Sequence, residues 1–497
     1  MTHAQLTGLG RHRRLTLAVV LLAAFMQLTD VSIVNVAIPS IHRELRAGYA
    51  VIEWVVAGYQ LAFAVVLITG GRLGDIFGRK RLFVIGAAGF TIASILCGMA
   101  PTAGILVGTR VLQGIAGALM FPQIFSIVQA TFPAHERSKA FGAVAAVMGV
   151  ATTAGPLLGG LLVHADIAGL GWRTIFLVNV PIGVIAVLAG PCVLLESRSP
   201  QPLRLDPIGM ILVSAALFAV LYALTQGRQL GWPAWTLALI AAGLTMLGLF
   251  TLYERHKTRI DGSPLVVLGL FRQRAFVVGL LLSLIVFSAV TAFFFAFSIS
   301  LQNGLGFTAL HSSLTTTPWA ACSAAASVAS IRLAPRLGRT SLIVGSALLT
   351  LGMAGVVLTV HHHGTGLDSR DLIAPLAIGG LGMGSVVAPL VNGALSGIRA
   401  GDTGSASGVL STVQQVGGAV GVVIVSMISF GLHTSPTAHT ANGPVLSAGS
   451  SHALWYPLTL FTAGFLLSFL VPHAPDNLGN PNVGRPVGPR SAPGATK

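Results

Sequence analysis

The sequence predicts an all-α integral membrane protein built as two six-helix pseudo-repeat bundles plus two additional helices, 14 transmembrane helices in total. Three observations lead there. Of the 497 residues, 54% are apolar and only 9% charged, against about 25% charged in an ordinary soluble domain, too few to keep a soluble surface of this size wet. The apolar residues fall into runs of membrane-spanning length separated by short basic loops. The chain also repeats itself at a fixed interval.

A membrane helix needs about 20 mostly apolar residues. Such runs occur at about 15–40, 50–71, 81–100, 103–126, 138–163, 173–195, 206–225, 235–253, 275–301, 309–331, 340–360, 372–397, 404–431 and 452–472. Arg11, Arg13 and Arg14 before the first run resemble a signal peptide's charged region. The run continues through Asp30 to Pro39 without a small-residue cleavage site, so it reads as an uncleaved first helix. An even number of spans puts both termini on one side. Basic residues gather in alternate loops: Arg72, Arg79, Lys80 and Arg81; Arg137 and Lys139; Arg198 and Arg204; Arg255, Lys257, Arg259, Arg272 and Arg274; Arg332, Arg336 and Arg339. The positive-inside rule makes that side cytoplasmic.

A shift of 260 residues lays Arg72-Leu73 over Arg332-Leu333 and Gly78-Arg79 over Gly338-Arg339, each between the second and third spans of its half. The expected domains are therefore an N-terminal six-helix bundle (1–200), two linking helices (201–260), a C-terminal six-helix bundle (261–475) and a disordered cytoplasmic tail (476–497). Internal repeats of this kind build alternating-access transporters, with the substrate site between them.

The net charge of +15 reports orientation rather than a nucleic-acid partner, because the basic residues are dispersed among loops. No nucleophile–base spacing, phosphate-cradling loop or ATP-binding motif is present, which argues against an enzyme and assigns the driving energy to an ion gradient. No cofactor or metal is expected. Cys97, Cys192 and Cys322 lie far apart within apolar runs and read as small hydrophobes, and His361-His362-His363 reads as a wet helix end.

An ionisable group deep in a membrane costs on the order of 3 kcal/mol or more and marks function by default. Asp30 is the one acidic residue well inside a span, and Arg110 is the clearest intramembrane base. Burying the two separately is expensive, so they are expected to face each other or a shared wet cavity. Asp30 leads the candidates for proton coupling, by competition between a proton and a cationic cargo for one negative charge. A permanently ionised structural pair is the alternative. Glu53, near the outer start of the second span, is a second candidate. Gln27, Asp30 and Val34 share one helix face, as do Arg110, Gln113, Gly114 and Gly117. Together with Tyr59, Gln60, Asn392, Gln414 and Gln415 they are read as lining a substrate cavity. The run Phe293, Phe294, Phe295 and Phe297 is read as core or lipid-facing packing in preference to cation stacking.

Two further motifs bear on movement. Gly71, Arg72, Asp75, Gly78 and Arg79 form a tight loop in which the acid can pair with a basic neighbour: a breakable cytoplasmic gate, or a topological anchor. Gly149, Gly155, Pro156, Gly159 and Gly160 make the fifth span a close-packing or rocking seam.

Together these segments resemble the major facilitator superfamily, in its fourteen-helix drug:proton antiporter branch. The stretch Leu28 to Pro39 is similar to that branch's first-helix signature, 71–81 to the loop between its second and third helices, and Arg110 to Gly117 to its fourth-helix motif. Gly149 to Gly160 are similar to its antiporter motif, as are Trp172-Arg173, Phe176 to Gly183 and Gln414 to Gly418 to later signatures. The resemblance implies a role for Arg110 in proton transfer and for the fifth helix in export. Pro335 stands where the second-half loop would repeat Asp75, and no acid lies deep in the last six spans, which fits monovalent better than divalent cationic cargo. The expected function is proton-gradient-driven export of hydrophobic, often cationic drugs or antibiotics across a bacterial inner membrane. The expected partners are small substrates, protons and lipid, with a monomeric chain and no nucleic acid. Dedicated export of an endogenous metabolite, or a non-transporting sensor or scaffold, are the other readings.

Overall fold

The computed structural model describes residues 3–46, 49–198, 206–260, 264–307, 309–337, 339–399, 402–431 and 452–471. The loop at 432–451 and the tail at 476–497 lie outside them. The described chain is helical: α1 (His3–Leu45), α2 (Tyr49–Phe77), α3 (Arg79–Gly98), α4 (Ala103–Thr131), α5 (Ala134–Ala165), α6 (Thr174–Leu177), α7 (Asn179–Val193), α8 (Pro207–Leu230), α9 (Ala234–Ile260), α10 (Arg274–Ile299), α11 (Ala309–Thr315), α12 (Thr317–Leu337), α13 (Arg339–His363), α14 (Ile373–Leu395), α15 (Thr403–Gly431) and α16 (Trp455–Ser468).

Local chemistry sets the breaks. Gly78 takes φ +110, a conformation that costs glycine nothing, and so separates α2 from α3. The Thr102 hydroxyl accepts from Ile105 N–H at the start of α4. Asp206 caps α8 by accepting from Gly209 N–H, with Pro207 at the first helical position. Gly231, at φ +71, ends that helix.

Eleven described helices are long and apolar enough to cross a membrane. The runs expected at 138–163, 309–331 and 452–472 are helical but do not meet that length and composition among the described residues. The first qualifies only as a shorter apolar helix, Lys139–Ala151. The second is divided between α11 and α12, and the third is the 14-residue α16. Outward faces carry large apolar side chains such as Ile92, Leu188, Ile211 and Leu466, as a lipid-facing surface requires.

In the first half α2 and α3 pack on α4, and α1 packs on α5 and α7. In the second, α12 and α13 pack on α14, and α10 lies against α15 and α16. The halves meet where α2 and α4 touch α15, and where α5 touches α12 and α14; α8 and α9 pair with each other, and α8 leans on α2 and α15. Phe293 and Phe297 are buried in the second-half core, with Phe293 stacked on Trp319 at a ring separation of 5.3 Å. This is the packing role expected of that run. Cys192, by contrast, is exposed.

Helix α14 approaches α12 so closely that a Cβ on Gly380 would overlap the Trp319 carbonyl, whereas one on Gly160 would meet nothing within 4 Å. Backbone cannot swing aside as a side chain can. Gly380→Leu is expected to destabilise the protein by about 1–3 kcal/mol, read as a lower thermal unfolding midpoint in detergent, with Gly160→Ala leaving the midpoint in place.

Candidate functional site: a buried carboxylate–guanidinium network and an interhalf clasp

Five elements of the first half converge on Asp30. Asp30 lies mid-way along α1 and is 0% exposed; Arg110 on α4 is 1% exposed. Arg110 Nη1 donates to Asp30 Oδ2 at 2.5 Å. The other carboxylate oxygen, Oδ1, accepts from Gln113 Nε2 at 3.0 Å and from Asn179 Nδ2 at 2.7 Å. Both amides also donate to Ser94 Oγ, at 2.9 and 3.1 Å. The carboxylate thus has three donors, which is how a buried charge is held without water.

Arg110 is equally well supplied. Its Nε donates to the Val55 carbonyl at 3.0 Å and its Nη1 also donates to Gln113 Oε1 at 2.7 Å. The guanidinium carbon stands 4.2 Å from the centre of the Tyr59 ring, a cation–π contact in a desolvated setting. Gln113 therefore serves both charges, accepting from the base and donating to the acid. Its place three residues after Arg110 on α4 puts both on one helix face, as the spacing predicted.

Gln27 and Tyr59 are buried beside this network. A Cβ on Gly117 would stand 3.4 Å from both Gln27 Nε2 and Tyr59 Oη, so that glycine leaves the room they occupy. Gln27 Oε1, Thr29 Oγ1 and Tyr59 Oη have no hydrogen-bond partner among the described residues. Val34 packs instead into an apolar cluster with Val55, Cys97, Trp172 and Phe176. Gln60 is exposed on α2. Gln414 is buried and Asn392 and Gln415 half-buried on the second-half helices α15 and α14, and none of the three bonds to the Asp30 network. Glu53 falls within α2, but its side chain lies outside the described residues. Ser94 and Asn179 are the members that sequence reasoning missed. Asn179 had a signal, as an amide inside an otherwise apolar span; Ser94 had none, because serine is common in membrane helices.

The fifth-span motif adjoins the same site. A Cβ on Gly155 would overlap the Ser32 hydroxyl and lie 3.1 Å from the Thr29 carbonyl, one residue before Asp30. One on Gly149 would stand 3.2 Å from Ser323 Oγ on α12. Helix α5 is therefore apposed to α1 through one glycine and to the opposite half through another. Gly159 is buried, and the side chain of Pro156 lies outside the described residues.

At the basic end of the molecule, Asp75 joins the halves. Its Oδ1 accepts from Arg79 Nη2 at 2.9 Å and from Gly404 N–H at 3.1 Å, and its Oδ2 accepts from Ser405 N–H at 3.0 Å. The carboxylate thus sits on the positive end of α15, whose first-turn N–H groups have no intrahelical acceptors. Gly71 and Gly404 face each other in backbone contact, which any side chain there would part. Ser126 and Ser407 meet at 3.1 Å, and Gln129 Nε2 donates to the Leu395 carbonyl at 3.0 Å, completing the seam. The repeat of this loop is not equivalent. Arg339, the counterpart of Arg79, donates to the Phe469 carbonyl, Pro335 stands at the place of Asp75, and the side chains of Arg332 and Pro335 lie outside the described residues. Asp75→Asn leaves the Arg79 charge buried beside a neutral amide. A loss of about 3 kcal/mol is expected in thermal unfolding, against less than about 1 kcal/mol for Glu196→Gln, whose pairing with Arg81 is exposed.

A family model described as Major Facilitator Superfamily matches residues 20–422. The chain is 40% identical over 417 residues to a probable actinorhodin transporter of Streptomyces coelicolor, covering 84% of this chain and 72% of that protein. It is 32% identical over 423 residues to the multidrug resistance protein Stp of Mycobacterium tuberculosis, covering 84% and 76%. The fold superposes on a proton:xylose symporter of the same superfamily with a TM-score of 0.65 at 15% identity, covering 93% of this chain and 97% of that one. With apolar helices of spanning length, a matching family model and relatives aligned over most of both chains, this protein is a multi-pass membrane transporter, not an enzyme, and belongs to the major facilitator superfamily.

Proposed function

We propose that this chain is a proton-coupled exporter of hydrophobic, often cationic antibiotics or drugs, with fourteen spans and both termini in the cytoplasm of a bacterial cell. The relatives named above, an actinorhodin transporter and a multidrug resistance protein, support the cargo class. One observation supports the coupling: a carboxylate sealed from water and held by donors that have somewhere else to go.

When a proton neutralises Asp30, Arg110 retains the Val55 carbonyl, Gln113 Oε1 and the Tyr59 face. The guanidinium keeps these acceptors when its counter-charge is lost, which lowers the ordinary penalty for breaking a buried pair. Asp30 can therefore exchange its ion pair for a proton, and later its proton for the ion pair, at modest cost. Gln27 and Tyr59 border the space beside it. Gly155 couples the position of α1 to α5, and Gly149 carries α5 against the second half, so a change at Asp30 is mechanically connected to the interface that must rock. The Asp75 clasp closes the basic end in this conformation, and opening toward the cytoplasm requires α15 to leave it. The energy source is the proton gradient, whose electrical part supplies about 2.3 kcal/mol per charge per 100 mV.

A second reading, dedicated export of one endogenous metabolite, draws on the 40% relative, which is named for a single compound. Purified protein in liposomes separates the two. With an imposed pH gradient, wild-type protein is expected to drive movement of a cationic dye, and Asp30→Asn to lower gradient-driven flux by at least tenfold while leaving the protein folded. Gradient-driven flux that survives in Asp30→Asn removes the coupling assignment. Dyes that are ignored while producer-culture extracts are transported favour the dedicated exporter. Because the second half offers no deep acid among its predicted spans, a monovalent cation is expected to be moved at least tenfold faster than a divalent analogue; comparable initial rates for the two would remove that restriction.

A further inference from the structure

The two linking helices carry a second pair of buried acids that the transport reading does not use. Asp206, the cap of α8, and Glu254, near the end of α9, are 2% and 0% exposed. Asp206 Oδ1 is fully supplied: it accepts from Gly209 N–H at 3.1 Å and from the Tyr253 hydroxyl at 2.8 Å, and Lys257 Nζ lies 3.5 Å away. Glu254 Oε2 accepts from Val266 N–H at 3.2 Å. The other two oxygens, Asp206 Oδ2 and Glu254 Oε1, have no partner among the described residues. A Cβ placed on Gly209 would lie 2.5 Å from the first and 2.8 Å from the second, so the two acceptors point into one small space that only a glycine leaves open.

Two carboxylate oxygens facing each other without a donor repel, and a single proton between them satisfies both. Asp206 already has donors suited to its ionised form, so the proton belongs on Glu254 Oε1, forming an O–H bond that donates to Asp206 Oδ2; on release it returns to water. Glu254 also holds a strap. Pro264, Leu265 and Val266 connect α9 to α10 across the end of the interhalf seam. The Pro264 carbonyl accepts from Arg72 Nη2 of α2 at 3.0 Å, the Leu265 carbonyl accepts from Ser405 Oγ of α15 at 3.2 Å, and Val266 N–H donates to Glu254. The strap therefore bonds to both halves at the place where Asp75 clasps them. The titratable and charged groups around it are Lys257 and Tyr253 of α9, Arg72 and Asp75 of α2, and Asp402 before α15, with Arg72 feeling the charges of all four acids, Asp75, Asp402, Glu254 and Asp206.

We propose that Asp206 and Glu254 form a proton-binding site distinct from Asp30, and that its occupancy sets how firmly the Pro264–Val266 strap ties α2 to α15. With the proton bound, Glu254 stays beside Asp206 and holds Val266. Without it, two like charges confined together push Glu254 out of the position from which it holds the strap.

Amide hydrogen exchange of the full chain in lipid nanodiscs tests this without any transport measurement. Between pH 5.5 and 8.5, after correction for the intrinsic pH dependence of exchange, protection of the Leu265 and Val266 amides is expected to fall roughly tenfold in the wild type. In Glu254→Gln, where the amide donates permanently to Asp206 and its carbonyl still accepts from Val266, protection is expected to stay flat. Asp206→Asn is the second variant should that chain fail to fold, and is expected to flatten the response as well. Asp30→Asn is expected to keep the wild-type response whether or not Asp30 couples transport. Wild-type protection that does not change with pH, an unchanged response in Glu254→Gln or Asp206→Asn, or a response abolished by Asp30→Asn overturns the proposal.

Discussion

The structure depends on keeping an ion pair in a place where ions are unwelcome. Asp30 and Arg110 are both sealed from solvent, and each is the counter-charge of the other. The consequences reach outward from the pair. Gln113 must present its oxygen to the base and its nitrogen to the acid; Asn179 must bring α7 to the second carboxylate oxygen, and Ser94 must bring α3 to the two amides that donate there. The backbone carbonyl of Val55 and the ring of Tyr59 must bring α2 to the guanidinium. Five elements are drawn to one point by polar demand, in a solvent whose hydrophobic effect gives them no reason to associate.

The second constraint is the end of α15. A helix terminus in a closed seam leaves N–H groups without acceptors, and Asp75 supplies them from the other half of the molecule. That contact is made of the same material as the central pair, a carboxylate with several donors, but its donors belong to the two halves of the molecule. The strap at Pro264–Val266 crosses the same seam and is anchored on both sides of it. The linking helices α8 and α9 are thus not passive spacers: they hold Glu254 against the strap, with Asp206 beside it. A carboxylate shared between a core and a seam is a natural place for protonation to be felt as motion, because its charge decides whether the surrounding donors stay.

Much of this was legible in order along the chain. Apolar runs gave the helices, because a membrane leaves no other solution for the backbone. The rarity of deep charge singled out Asp30 and Arg110, and helical spacing placed Gln113 beside Arg110. Asp75 and its basic neighbours were readable as a pair, and the family resemblance added the loop and fifth-helix motifs. The three weaker spans show the limit of the same reasoning. A run such as 309–331 is apolar enough to invite a helix, yet the structure divides it between α11 and α12, where Pro318 in the first turn of α12 has no N–H to continue the ladder, a break that apolar content does not report.

What the sequence by itself determined is the class of solvent, the helical content and the identity of the costly residues, since each follows from single side chains and their transfer energies. What only the tertiary structure decided is who satisfies those residues. Asn179 lies 149 positions from Asp30, Gly404 lies 329 from Asp75, and Val266 rather than a base holds Glu254. Hydrogen bonds reach about 3 Å and carry no record of sequence separation. Their partners are therefore fixed when the helices pack, and become visible only once the chain is folded.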